Sequence, residues 1–143
     1  MFYAQIVKQY ITSISNNNSQ GNSAIVKAAL KELNEGIHKG GTKYWQWYGF
    51  NGRVEWCAIF VSYNAEKAGV KMEHFAYCPT GIENFKANNQ WFRKGSLPKN
   101  GNIIFFDWDG DSISYYVGIV EKVENEVVYT IEENSGKIGR ASC

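Results

Sequence analysis

The spacing of apolar residues changes in the last third of this chain, and that change constrains the fold more than any single motif. In the first two thirds, apolar residues recur every three or four positions, which predicts helices. In the last third, β-branched and aromatic runs separated by turn residues predict strands. Helices first and strands last indicate an α+β fold with an antiparallel sheet.

The pattern predicts elements in this order, with a polar linker and two irregular stretches between them. Helices are predicted at 2–15, 24–35 and 56–68, with a short helical stretch near 82–87. Strands are predicted at 102–107, 115–123 and 127–133, with a hairpin turn at 124–126. The linker is 16–23, and the irregular stretches are 36–53 and 70–101.

The stretch 36–53 combines five glycines with five aromatic residues. Its glycine content predicts a loop rather than a helix, because glycine disfavours helix interiors. The rings favour a ligand-binding wall over simple core packing, and packing remains the alternative. Its aromatic candidates for substrate binding are Tyr44, Trp45, Trp47 and Tyr48.

Composition and charge exclude several classes of function. Lys and Arg number 15 against 14 Asp and Glu, so we expect no nucleic-acid partner and no polybasic membrane anchor. No apolar run is long enough for a transmembrane segment, and residues 1–15 do not have the pattern of a signal peptide. Three cysteines and two histidines predict neither a disulfide framework nor a zinc site.

Cys57 is the first candidate for a reactive side chain. It lies where the glycine-rich stretch ends and the helix 56–68 begins, and the positive end of a helix favours a thiolate. The alternative is a small buried hydrophobic residue, which is the commonest role of a single cysteine.

The predicted hairpin places three polar residues together. If its turn centres on Asn125, Tyr116 lies opposite Asn134 and Gly118 lies opposite Glu132. Alternate residues of a strand share a face, so Tyr116, Glu132 and Asn134 would project from the same side. The alternative is a solvated hairpin edge.

Five blocks of the sequence resemble the CHAP domain, the cysteine- and histidine-dependent amidohydrolase/peptidase family. The likeness runs from about residue 23 to 137, so it suggests a CHAP-like domain at 23–143 preceded by an N-terminal helix and linker at 1–22. The blocks are 44–50 (YWQWYGF), 54–62 (VEWCAIFVS), 101–111 (GNIIFFDWDGD), 117–123 (VGIVEKV) and 129–136 (YTIEENSG).

The resemblance implies a papain-like fold, in which the helix that bears the cysteine packs on an antiparallel sheet. It also implies hydrolysis of bacterial peptidoglycan, either at the amide between sugar and stem peptide or within the peptide cross-link. Cys57 matches the nucleophile, Glu132 the acidic residue that orients the histidine, and Asn134 a further polar member of the site. Trp56 and Trp108, which lie in two of the matching blocks, complete the predicted substrate-binding residues.

The chain departs from the family pattern at its general base, because the signature histidine before Val117-Gly118 is replaced by Tyr116. A phenol with a pKa near 10 stays protonated at neutral pH and cannot accept the thiol proton. His38 and His74 are expected to be surface residues rather than replacements. We therefore expect an impaired hydrolase, with an inactive wall-binding or regulatory module as the alternative and a protein-interaction domain unrelated to the wall as a third class.

The remaining expectations concern cofactors, assembly and location. No cofactor is expected; Asp107, Asp109 and Asp111 alternate as in a calcium loop, but an acidic turn is the favoured interpretation. The expected partner is peptidoglycan, and the expected state is a monomer. The resemblance implies an extracellular or wall-associated protein, or a phage-encoded one released at lysis.

Overall fold

The computed structural model describes residues 10–12, 23–36, 39–92, 98–107, 111, 113–134 and 136–142, and it confirms the predicted α+β fold. Helices come before most of an antiparallel sheet. The α-helices are α1 (Ser23–Glu35), α2 (Thr42–Tyr48), α3 (Cys57–Ala68) and α4 (Cys78–Ala87). The strands are β1 (Tyr10–Thr12), β2 (Trp91–Phe92), β3 (Ile103–Phe106), β4 (Tyr116–Glu124), β5 (Val127–Asn134) and β6 (Lys137–Ser142).

The six strands form one antiparallel sheet in the order β2-β1-β3-β4-β5-β6. The helix predicted at 2–15 is wrong at Tyr10–Thr12, which pairs with β2 and β3; the rest of that helix lies outside the described residues. Pairing with distant strands overrides a local helical period there, and Ile11 and Thr12 are β-branched residues that suit a strand. The boundary between 1–22 and 23–143 stays a prediction.

The β4–β5 hairpin has the register that the sequence predicted, but it needs a bulge to reach it. Asn125 and Glu126 both have positive φ angles, 51° and 65°, as in a type I′ turn. Near the turn, Lys122 pairs with Tyr129; beyond a register shift between Val120 and Lys122, Ile119 pairs with Ile131. The next position along the two strands therefore sets Gly118 opposite Glu132.

The two faces of the sheet carry different clusters. Helix α3 packs on β4 and β5. The helix-facing cluster includes Ile103, Phe105, Val117, Ile119 and Ile131. The opposite face carries Ile104, Phe106, Val120 and Val128, and Tyr116 packs against this second cluster. A cysteine-bearing helix on an antiparallel sheet is the arrangement that the CHAP resemblance implied.

Helix α2 lies inside the stretch that the sequence predicted to be a loop, so that prediction is wrong for Thr42–Tyr48. The glycines lie outside the helix rather than within it. Gly40 and Gly41 precede it with φ angles of 74° and 67°, and Gly49 ends it with a φ of 118°. Glycine adopts such left-handed backbone without a steric penalty, so these residues bound a short helix instead of preventing one.

Among the helices in the described ranges, none has the length and apolar character needed to cross a membrane.

Candidate active site

Cys57 is the first residue of α3, directly after the N-cap residue Trp56. Its thiol donates a hydrogen bond to the backbone carbonyl of Tyr115, with Sγ and O 3.7 Å apart. The side chain is 6% exposed, so little of it meets solvent. The first backbone N–H groups of a helix have no partners within the helix. An acyl group on Cys57 would therefore have N–H donors nearby for its oxygen.

Trp56 fixes the point at which α3 begins. Its ring stacks on Tyr44 with centroids 5.1 Å apart and an angle of 8° between planes. The two side chains are 1% and 0% exposed, respectively. The prediction that Tyr44 and Trp56 contact substrate is therefore corrected: rings without exposed surface pack the core and position the nucleophile.

A buried carboxylate holds Tyr44 in that stack. The Tyr44 hydroxyl donates to Oε1 of Glu32 over 3.0 Å, and Nζ of Lys43 lies 2.6 Å from the same oxygen. Burial first, and then the Glu32 charge, raise the pKa of Tyr44 above its ordinary value. This cluster holds Tyr44 against Trp56, the residue before the start of α3.

Three other aromatic candidates keep some exposed surface. Trp45, Trp47 and Tyr48 are partly buried against the core, and the indole N–H of Trp45 donates to the carbonyl of Gly40. Their contact with substrate stays a prediction. Trp108 lies outside the described residues.

Neither histidine is shown at Cys57. Nε2 of His74 lies 3.2 Å from Oε1 of Glu66, and the His74 ring packs on Trp47. Glu66 is nine residues after Cys57 in the same helix, which corresponds to roughly 13 Å along its axis. His38 lies outside the described residues.

Tyr116 begins β4, one residue after the carbonyl that accepts the Cys57 hydrogen bond. Its ring packs edge-on against Phe106, with centroids 5.7 Å apart. Its hydroxyl donates to the backbone carbonyl of Glu133 and is hydrogen-bonded to the Glu132 side chain. Burial, followed by the charges of Glu132, Glu133 and Cys57, raises the pKa of Tyr116 further above its ordinary value. The group at the family's base position is therefore a protonated phenol.

Glu132 lies beside Tyr116, as the hairpin register predicted. It is 3% exposed, and Oγ1 of Thr130 donates to its Oε2 over 2.6 Å. Burial raises the pKa of Glu132 to about 7, although hydrogen bonds with Thr130 and Tyr116 oppose the shift. A Cβ at position 118 would come within 3.0 Å of Oε2 of Glu132, so the absence of a side chain at Gly118 makes room for this carboxyl group.

The residues that follow Glu132 extend the polar edge. Glu133 is 6% exposed, and its Oε2 accepts a hydrogen bond of 3.0 Å from the backbone N–H of Gly136. Burial and the Glu55 charge raise the pKa of Glu133, while the Gly136 hydrogen bond and Arg53 lower it. Asn134 ends β5 and pairs with Lys137, but its side chain is outside the description, so its role stays a prediction.

Three neighbours of Cys57 were not predicted from the sequence. Cys78 begins α4, is 3% exposed, and its thiol interacts with that of Cys57. Tyr77 and Tyr115 are 55% and 61% exposed, with ring centroids 6.3 Å apart. Cys78 had no evident partner in the sequence, because 21 positions separate it from Cys57 and only the fold brings the two helix starts together.

The alternating aspartates are only partly described. Asp107 is 4% exposed, and Oδ1 of Asp111 accepts a hydrogen bond of 2.8 Å from the backbone N–H of Ile113, as in an Asx turn. Asp109 lies outside the described residues. The described part of the chain contains no group of three or more metal-ligating side chains, and calcium binding stays a prediction.

Comparison with known proteins identifies the family. The model of the CHAP domain matches residues 47–134, more than half of the chain, and this match includes Cys57, Tyr116 and Glu132. No curated protein and no solved structure matches the chain. CHAP domains are generally hydrolytic, with amidase or peptidase activity, and their function is generally connected with peptidoglycan. The chain belongs to the CHAP domain family, as the resemblance in its sequence indicated.

Proposed function

We propose that this protein is a peptidoglycan-directed amidase or endopeptidase whose nucleophile is Cys57 and whose turnover is restricted by Tyr116. One observation carries the proposal: one residue after the carbonyl that accepts the Cys57 hydrogen bond, the position that matches the family's base holds a phenol bound to the Glu133 carbonyl and to Glu132. A residue in that state fills the site without performing its proton transfer.

The chemistry follows from the residues present. The Cys57 thiolate attacks an amide carbonyl, the free N–H groups at the start of α3 stabilise the oxyanion, and water later releases the acyl group. The first step requires a base for the thiol proton and an acid for the leaving amine. General acid–base catalysis contributes about 10²- to 10⁴-fold, and a phenol of raised pKa does not supply it at neutral pH.

Exposed rings near Cys57 support binding to a chain-like ligand. Tyr77 and Tyr115 present neighbouring aromatic surfaces, and the Tyr115 backbone contacts the nucleophile. Amphipathic rings of this kind pack against sugar rings or peptide side chains while their hydroxyls remain in water. We therefore extend the proposed substrate contacts from Trp45, Trp47 and Tyr48 to this pair.

A second candidate function is wall binding without turnover. The observation that favours it is the environment of Cys57, which is 6% exposed, donates a hydrogen bond to the Tyr115 carbonyl and interacts with Cys78. Such a module would act as a monomer outside the cell, in the wall, or after phage-induced lysis.

The test uses purified peptidoglycan and three proteins: the unchanged chain, Tyr116→His and Cys57→Ala. Mass spectrometry of the material released by Tyr116→His identifies the bond, because sugar-free stem peptides indicate amidase action and shortened cross-links indicate endopeptidase action. Cosedimentation of Cys57→Ala measures binding alone. Binding without release by Tyr116→His would favour the second candidate. Neither binding nor release by any of the three would overturn both and favour a protein-interaction domain.

A further inference from the structure

Two thiols meet at the nucleophile, and only one of them is used by the proposed reaction. Cys57 and Cys78 are the first residues of α3 and α4, and both belong to the main buried cluster. The Cys78 thiol interacts with the Cys57 thiol, and neither is in a disulfide. A free thiol this close to a nucleophilic sulfur is a chemical partner for it.

Other contacts independently bring the two helix starts together. The residue before Cys78 is Tyr77, and its ring lies against that of Tyr115 with centroids 6.3 Å apart. The carbonyl of the same Tyr115 accepts the Cys57 hydrogen bond over 3.7 Å. Tyr115 therefore contacts both helix starts, and the thiol pair is part of a packed junction.

We propose that Cys57 and Cys78 form a reversible oxidative modification site, in which peroxide converts the two thiols into a disulfide that blocks the nucleophile. Peroxides are the oxidant class because the first step requires a two-electron oxygen donor. The covalent site rests on the packing of the two helix starts around Tyr115, whereas its role in regulating hydrolysis rests on the proposed function.

The reaction balances in two steps. The Cys57 sulfur attacks one oxygen of hydrogen peroxide, the O–O bond breaks, and Cys57 sulfenic acid forms with release of water. The Cys78 sulfur then attacks the sulfenic sulfur, its proton leaves with the hydroxyl group as a second water, and the S–S bond forms. The pair loses two electrons and two protons, and one peroxide becomes two waters.

The roles within the pair follow from its environment. Cys57 is the more exposed of the two, at 6% against 3%, so it meets peroxide first. Contact with Cys57, followed by burial, raises the pKa of the Cys78 thiol. Cys78, the less exposed of the two, is the resolving member. Bond formation requires the sulfurs to approach to about 2.05 Å, a movement that rotation of the two side chains has to supply.

Peptide mapping tests the link directly. The folded, reduced chain is treated with hydrogen peroxide, trapped with a thiol alkylator in denaturant, and digested with trypsin. Cys57 and Cys78 then lie on separate peptides, 54–67 and 72–86, and Cys143 lies on a third, 141–143. We expect the first two peptides to be joined, with the loss of two hydrogen atoms, and dithiothreitol to separate them. The control Cys143→Ser should give the same link.

Removal of the partner thiol distinguishes a specific disulfide from general oxidation. In Cys78→Ser or Cys78→Ala, peroxide should carry Cys57 on to sulfinic acid, which dithiothreitol does not reverse. Joining of 54–67 to 141–143, or sulfinic acid at Cys57 in the unchanged chain without a link to 72–86, would overturn the proposal. Because this readout is a covalent link and not wall hydrolysis, its failure and that of the proposed function are distinguishable.

Discussion

Tyr116 and Glu132 lie on neighbouring strands of the sheet, and the hydroxyl of the tyrosine is hydrogen-bonded to the carboxyl group of the glutamate. In the CHAP pattern that the sequence resembles, the acidic residue orients a histidine. Here the acidic residue is present, and its hydrogen-bonding partner is a phenol. At the two positions that the resemblance assigns to base and acid, the contact is therefore present, with a phenol in place of a group that titrates near neutral pH.

The buried carboxyl group of Glu132 makes stability depend on pH. Its pKa is raised from 4.5 to about 7 in the folded chain, so folding favours the protonated form. Glu132 therefore contributes about 3 kcal/mol to the free energy of unfolding below about pH 4.5. This contribution is lost as the pH rises through about 7. Urea unfolding at several pH values should show this fall.

The variant Glu132→Gln isolates that contribution. The amide does not titrate, so the free energy of unfolding of the variant should fall much less as the pH rises. A smaller fall should remain because the pKa of Glu133 is also raised. Glu126→Gln at the exposed hairpin turn is the control and should keep the full dependence. An unchanged pH profile in Glu132→Gln would contradict a raised pKa for this group.

Gly118 is predicted to be necessary because of the space that Glu132 occupies. A Cβ there would meet Oε2 of Glu132 at 3.0 Å and its Cβ at 3.2 Å, whereas a Cβ at Gly139 would meet nothing within 4 Å. Gly118→Ala should lower the free energy of unfolding by about 1–3 kcal/mol, because the carboxyl group must move. Gly139→Ala, in the strand that pairs with Glu132, is the matched control. Equal unfolding midpoints in denaturant would refute this account of Gly118.

Alanine substitutions at Gly40 and Gly41 distinguish the cost of backbone strain from the cost of a steric clash. Both have left-handed φ angles, so alanine at either should cost about 1–2 kcal/mol. Only at Gly41 would the new Cβ overlap Trp56, at 2.3 Å from its Cδ2. Gly41→Ala should therefore lose about 1–3 kcal/mol more than Gly40→Ala, by chemical denaturation. Similar losses in the two variants would show that Trp56 yields easily.

The local elements were predictable because their signals lie within a few residues. Helix α3 shows an apolar period and ends at Gly69, whose φ is 72°. The predicted approach of Tyr116 to Glu132 assumed a turn centred on Asn125. The chain has a two-residue turn at Asn125 and Glu126 instead, and the register shift between Val120 and Lys122 restores the predicted pairing. The shift itself could not be expected, because one extra residue leaves no mark on the alternation of side chains before the strands pair.

The features that depend on distant partners were missed. Strand β1 exists because β2 and β3 flank it, and a sequence period of about four gave no sign of them. The aromatic stretch before Cys57 favoured a ligand-binding wall, with core packing as the alternative. Tertiary packing determines which rings are buried. Tyr44 and Trp56 stack in the core, whereas Tyr77 and Tyr115, which no motif marked, are exposed.

The most direct measurement is the initial rate of muropeptide release from purified peptidoglycan by the unchanged chain, Tyr116→His and the matched control Ile113→His. The control places an imidazole three residues away, on a side chain that is 45% exposed. We predict that Tyr116→His releases muropeptides at least about 100-fold faster than the unchanged chain, that Ile113→His does not, and that adding Cys57→Ala to Tyr116→His removes the gain. Equal rates for the unchanged chain and Tyr116→His, or a gain that survives Cys57→Ala, would contradict the account.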